Sequence, residues 1–179
     1  MRFGVILLAT ILASSQVFAA SRADRLEQAK RLKAGVMRHI VQDTEFPDGT
    51  FSDSNAALVI AVVGIDPFGP ALDKTFGAVR YHGRPIEIRR YPNLASVMPC
   101  HVLFVAESEQ KDLEALLALV SGLGVLTLGE SKDFITRGGM ISLHRKGRKI
   151  GYEINQRAAQ HEGIAFSSKV IALATATSR

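Results

Sequence analysis

Apolar positions along this chain recur in two rhythms, separated by short polar breaks. Residues 22–43 follow the helical one: Leu26, Ala29, Val36 and Ile40 recur at near-helical spacing, with Leu32 and Met37 beside them. Arg22, Arg25, Lys30, Arg31 and Arg38 fall mostly on the other side, which reads as the solvated face of a core-packing helix or a basic face lying on a membrane. Glu45-Phe46-Pro47-Asp48-Gly49 ends the helix, and a polar loop runs to Asn55. Ala57 to Gly64 is a continuous apolar run, the signature of a strand buried on both faces of a parallel sheet. Asp66 and Pro67 then predict a capped helix over 67–77, with Phe68, Leu72 and Phe76 inward.

Pro85 to Tyr91 alternates, Ile86 and Ile88 against Glu87 and Arg89, and predicts a half-exposed strand near an edge. Cys100 to Ala106 is a second buried run, and Ser108 is placed to cap a helix over 109–121 with Leu113, Leu116, Leu117 and Val120 inward. Val125 to Leu128 is a further strand. Met140–Arg145 and Lys149–Ile154 alternate on either side of Lys146-Gly147-Arg148 and predict an antiparallel hairpin. Asn155 caps a short helix ending near Gly163, and Ser167 opens a last one through Val170, Ile171 and Leu173. The expected fold is α/β: a sandwich of helices around a mixed, mainly parallel sheet with a C-terminal antiparallel hairpin.

The first residues change the setting. Arg2, the uncharged run Val5–Ala13 and the small residues of Val17-Phe18-Ala19 form the three parts of an export signal, with cleavage expected after Ala19. The run is shorter than the roughly 20 apolar residues a membrane span needs. No cysteine lies near the cleavage site, which argues against a lipoprotein. Removal leaves a single domain, 20–179, expected to act outside the cytoplasm. The net charge of +5 for the whole chain falls to +4 when Arg2 leaves. In an exported protein that excess points away from nucleic acid and toward acidic protein surfaces, anionic lipid head groups, or no partner at all.

Candidate chemistry is sparse. The chain has no phosphate loop, dinucleotide fingerprint or Gly-x-Ser-x-Gly elbow, so no cofactor is expected. The histidines at 39, 82, 101, 144 and 161 show no metal-ligand spacing. Cys100 and His101 are adjacent in a strand, so their side chains leave on opposite faces and cannot form a thiol–imidazole pair. With one cysteine, an intrachain disulfide is impossible. The turn from Gly64 to Gly69 reads as a capped turn or, together with Ser131, as the crevice of a small-ligand binder. Arg145-Lys146-Gly147-Arg148-Lys149 is the densest charge cluster, either a solvated tip or a contact to an acidic partner. Gly138-Gly139 before a strand calls for a positive φ or a close approach of chains.

Several ordered segments carry a resemblance. Lys33-Ala34, Glu45-Phe46-Pro47, Asp66-Pro67-Phe68-Gly69, Cys100-His101-Val102-Leu103-Phe104, Gly138-Gly139-Met140-Ile141, Glu153-Ile154-Asn155 and Ser167-Ser168-Lys169 together resemble the YfiR-like family of bacterial periplasmic proteins. The resemblance implies a non-enzymatic regulator that binds the periplasmic part of an inner-membrane protein, a diguanylate cyclase, and holds it inactive. It also implies homodimers. Some relatives pair the cysteine equivalent to Cys100 with one in the first buried strand; here Ala56 to Gly64 holds none, which excludes redox control through that bridge. The candidate partner- or ligand-binding residues are Asp66, Phe68, Gly69, Gly139, Met140, Arg145, Arg148, Asn155, Ser168 and Lys169.

Overall fold

The computed structural model describes the backbone of residues 3–53 and 55–178, and side chains for 22–53 and 55–177. Its first element, α1 (Phe3–Gln42), is one continuous helix. The expected export signal lies in the first half of α1, where only backbone is described; its side chains, and Met1 and Arg2 altogether, lie outside the described residues. Among the described residues no helix is long and apolar enough to cross a membrane.

Two runs of aliphatic residues set the architecture. Strands β2 (Leu58–Val63) and β4 (Val102–Val105) are buried at every position. Full burial of one such side chain is worth about 1.5–3 kcal/mol, so both faces of these strands require a cover. On one face Leu58, Ile60, Val62, Val102 and Phe104 pack against Ala34, Met37, Ile40 and Val41 of α1. Phe68 and the helix α2 (Pro70–Phe76), through Leu72 and Phe76, complete that layer. On the other face Ala61, Val63, Leu103 and Val105 meet Leu113, Leu116 and Val120 of α3 (Leu113–Val120).

Around this pair the main sheet has seven strands in the order β3-β2-β4-β5-β6-β7-β9. The added members are β3 (Ile86–Tyr91), β5 (Leu126–Gly129), β6 (Ile141–Lys146), β7 (Lys149–Asn155) and β9 (Ala176–Ser178). All pairings are parallel except the β6–β7 hairpin. The alternating segment is the edge strand β3, as its pattern requires. The remaining elements are β1 (Thr44–Glu45), α4 (Gln156–His161), β8 (Ala165–Phe166) and α5 (Ser168–Leu173). The mixed, mainly parallel α/β sandwich expected from the sequence is therefore the fold.

Local chemistry departs from expectation at several points. Asp66 does not cap α2, and Pro67 is not its first residue. Asp66 Oδ1 instead accepts a hydrogen bond from Phe68 N at 2.7 Å, and the helix starts three residues later, with Pro70 in its first turn. Ser108 does not cap α3 either: residues 107–112 form a 3-10 stretch, and the Ser108 hydroxyl accepts from Ile65 N at 2.9 Å. Among the described side chains of α1 the fully buried ones are Ala34, Met37, Ile40 and Val41, near its carboxyl end, while Leu26 is 58% exposed. The hairpin turn is two residues, Gly147-Arg148, with Lys146 already in β6. Strands β1 and β8, which pair antiparallel, and β9 were not legible as strands.

Asn155 and Ser167 do cap their helices, accepting from Ala158 N at 3.1 Å and Val170 N at 3.4 Å. At the double glycine the expected positive φ is present at Gly138, and the close approach at Gly139 is that of a side-chain ring rather than of another chain segment. Gly138 has φ 101°, and a Cβ on Gly139 would lie 2.1 Å from the Phe134 ring. That ring is 1% exposed and also presses on Gly129, where a Cβ would lie 2.2 Å away. Gly139→Ala should therefore destabilise the protein by about 1–3 kcal/mol, the usual cost of overpacking. Phe134→Leu in that background should restore part of the loss. Urea unfolding checks this; an unchanged midpoint for Gly139→Ala would show that the ring has room to move.

Candidate functional site

The ten candidate residues fall in four separate places. Asp66, Phe68 and Gly69 lie at the carboxyl end of β2. Asp66 is tied to Arg90 Nε at 2.7 Å, and Arg90 also binds Asp73 at 2.6 Å. This triad fastens the β2–α2 loop to the edge strand. Phe68 is fully buried, edge-on to Phe104 with ring centroids 4.7 Å apart, and so belongs to the core. In the turn Gly64–Gly69 a Cβ on Gly64 would meet Ser108 Oγ at 2.4 Å. Lys33 Nζ lies 5.7 Å from the centre of the Phe68 ring and pairs with Glu130, the neighbour of Ser131, which joins α1 to the end of β5. Neither Arg90 nor this ion pair stood out in the sequence, because their partners are distant along the chain.

Gly139, Met140 and Asn155 stand where β6 begins and β7 ends. Met140 N donates to Thr127 Oγ1 at 3.1 Å, Asn155 N donates to Met140 O at 2.8 Å, and Asn155 Nδ2 donates to Ile135 O at 3.4 Å. Met140 and Asn155 line a groove of about 440 Å³ between α3 and α4, with Val125 and Thr127 on its floor and Arg137 and Arg157 at its rim. The layer made by α3 ends at β5, so here the sheet turns polar, with Thr127 and Ser142 on that face. Glu162 closes one end. Burial works to raise its carboxyl, but hydrogen bonds from Gly122 N at 2.8 Å and Gly124 N at 3.1 Å outweigh this and hold it below the usual range.

Arg145 and Arg148 sit at the hairpin tip, where they face α1. Together with Arg25, Gln28, Ala29, Leu32, Lys149 and Ile150 they line a second groove of about 380 Å³. Ser168 and Lys169 form the exposed first turn of α5, remote in role from the others: their segment is a capped helix start.

Cys100 and His101 separate as expected. Cys100 packs with the α3-side core, while the His101 ring stacks on Phe51, 4.7 Å between centroids, on the α1 side. Burial pushes the Cys100 thiol up to about 11, so it is protonated at neutral pH and a poor nucleophile. A third, apolar groove of about 340 Å³ opens beside it, lined by Val97, Met98, Pro99, Leu119 and Leu123. No group of three or more His, Cys, Asp or Glu among the described residues is placed to hold a metal ion.

Burial lowers the His101 imidazole below its ordinary value of 6.5. Its Nδ1 accepts from Val59 N at 2.9 Å, a bond that a protonated ring cannot accept. The contribution to stability is whole above about 6.5 and is lost as pH falls through the lowered folded value. An NMR titration of His101 should show a midpoint below 6.5, with stability declining over the same window; a midpoint at or above 6.5 would contradict this.

A family model described as YfiR/HmsC-like (DUF4154) matches residues 30–175. No curated protein matches the chain. Among solved structures, a conserved domain protein from Vibrio cholerae is 16% identical, with a TM-score of 0.51 over 67% of this chain and 54% of that one. The ABC domain from Streptococcus pneumoniae, solved in complex with L-Trp, is 10% identical, with a TM-score of 0.51 over 66% of this chain and 54% of that one. At these identities the likeness is one of fold. The chain spans about half the length of these two solved chains.

Proposed function

The chain belongs to the YfiR/HmsC-like family, and on that premise we propose that it is a periplasmic regulatory protein that binds the periplasmic part of an inner-membrane diguanylate cyclase and represses it. The family is regulatory rather than catalytic and acts in diguanylate cyclase signalling through protein–protein contact. The observation that carries the reading is the extent of the match: residues 30–175 include every strand of the main sheet except the last, and all five helices in whole or in part.

Cleavage after Ala19 would shorten α1 to residues 20–42; among the described side chains of that helix the fully buried ones are Ala34, Met37, Ile40 and Val41. Repression would work by population shift: the regulator binds the inactive state of the partner's periplasmic domain more tightly than the active one, and each tenfold difference in affinity is about 1.4 kcal/mol of bias.

Deleting the gene should raise intracellular cyclic di-GMP, and supplying it again should reverse the rise. In fractionated cells the protein should appear in the periplasm without residues 1–19. An unchanged cyclic di-GMP level would sink the cyclase assignment, and a cytoplasmic protein would sink the regulator reading as a whole.

A further inference from the structure

We propose that the groove between α1 and the β6–β7 hairpin is a docking surface for the phosphate head groups of an anionic membrane. Four cations line it, Arg25, Arg145, Arg148 and Lys149, and no acidic side chain does. Arg25, Arg145, Arg148 and Lys149 are all exposed. Among the described residues the side chains of Arg148 and Lys149 make no hydrogen bond or ion pair. Arg145 Nε donates to Gly147 O at 3.0 Å, which folds its guanidinium over the turn and fixes it at the tip.

The hairpin register adds an independent observation. Lys146 and Lys149 are directly opposed across the two strands. Like charges in that position are destabilising, and Arg148 sits in the turn between them. The turn itself is well formed, with Gly147 at φ 62° as a type II′ turn requires, so the repulsion is not relieved by a distorted tip. A local rule broken without internal compensation points to a counter-charge from outside.

The form of the groove identifies that counter-charge. No aromatic ring lines it, so a nucleotide base would find nothing to stack on. Its apolar part is small, Ala29, Leu32 and Ile150, and Leu32 is 40% exposed. The α1 side, from Arg25 to Leu32, extends about 10 Å, and the other wall is a protruding hairpin tip. The cations thus stand on an exposed stretch of α1 and on the hairpin tip, within reach of a surface. Basic side chains near an anionic leaflet contribute roughly 1 kcal/mol each, and clusters of about four to eight are the pattern of lipid-binding surfaces. This surface would concentrate the protein at the membrane independently of which membrane protein it regulates.

Co-sedimentation of the purified protein with vesicles tests the inference. It should bind phosphatidylglycerol mixed into phosphatidylcholine, not phosphatidylcholine alone, and binding should weaken as salt rises. The double variant R145E/R148E should bind about tenfold or more weakly. K111E/K132E, the same charge change at exposed positions before α3 and after β5, should bind as the wild type does. Equal loss in both variants would reduce the effect to net charge and overturn the groove. So would a failure of the wild type to bind phosphatidylglycerol vesicles. A glutamate-rich peptide that binds in an R145E/R148E-sensitive way while vesicles do not would replace the membrane with an acidic polypeptide. Free glycerol 3-phosphate that saturates the groove and blocks the vesicles would replace it with a soluble phosphate. A retained melting temperature shows that the variants are folded.

Discussion

Strands β2 and β4 have no face that can be left to water, since all their residues are buried. That burial obliges a layer of helices on each side, and the two layers are unequal. The α1–α2 layer extends across the sheet as far as Tyr152 and Ile154 of β7. The α3 layer stops at β5, with Val125, the residue just before that strand, among its apolar contacts. Beyond that line the sheet changes to Thr127 and Ser142, polar side chains satisfied by local hydrogen bonds. Phe134 closes the margin by lying on two glycines that leave no room for a Cβ. The grooves of this protein lie at the margins of the layers, where a strand or hairpin outruns its cover.

The same geometry separates the parts of the molecule that hold it together from those free to meet something else. Distant charges such as Lys33 with Glu130, and Arg90 with Asp66 and Asp73, are spent on tying helices to strand ends. The hairpin tip is different. It projects past the sheet, its strands pair well, and its cations have little internal use. Regulation through contact with a membrane protein requires surfaces of this second kind, and a basic one favours encounter with an anionic surface.

Much of the fold was legible because burial writes directly into sequence. The runs 57–64 and 102–106 are unbroken by polar residues only because both faces of those strands are covered. The caps at Asn155 and Ser167 were legible because a capping side chain acts on amides two or three residues away. Asp66 and Ser108 carry the same signal with a different outcome, since a nearby amide, Phe68 N or Ile65 N, claimed the side chain first. The short strands β1, β8 and β9 carry too few residues for a rhythm and exist through tertiary pairing. The expected face of α1 holds at Val36, Met37 and Ile40 and fails at Leu26 and Leu32, which are exposed although their spacing is the same. The candidate site was less legible still. Motifs such as Asp66–Gly69 and Gly139–Met140 mark turns and packing, and only the position of α1 beside the hairpin brings Arg25 to Arg145 and Arg148.

The central claim is repression by preferential binding of one state of a membrane partner. Its most direct test is a calorimetric titration of the purified protein against the periplasmic domain of the cyclase, held in its inactive and in its active arrangement. The account predicts tighter binding to the inactive form by about a hundredfold, which is enough to move a balanced equilibrium almost wholly to one side. Equal affinity for the two forms, or tighter binding to the active one, would contradict it.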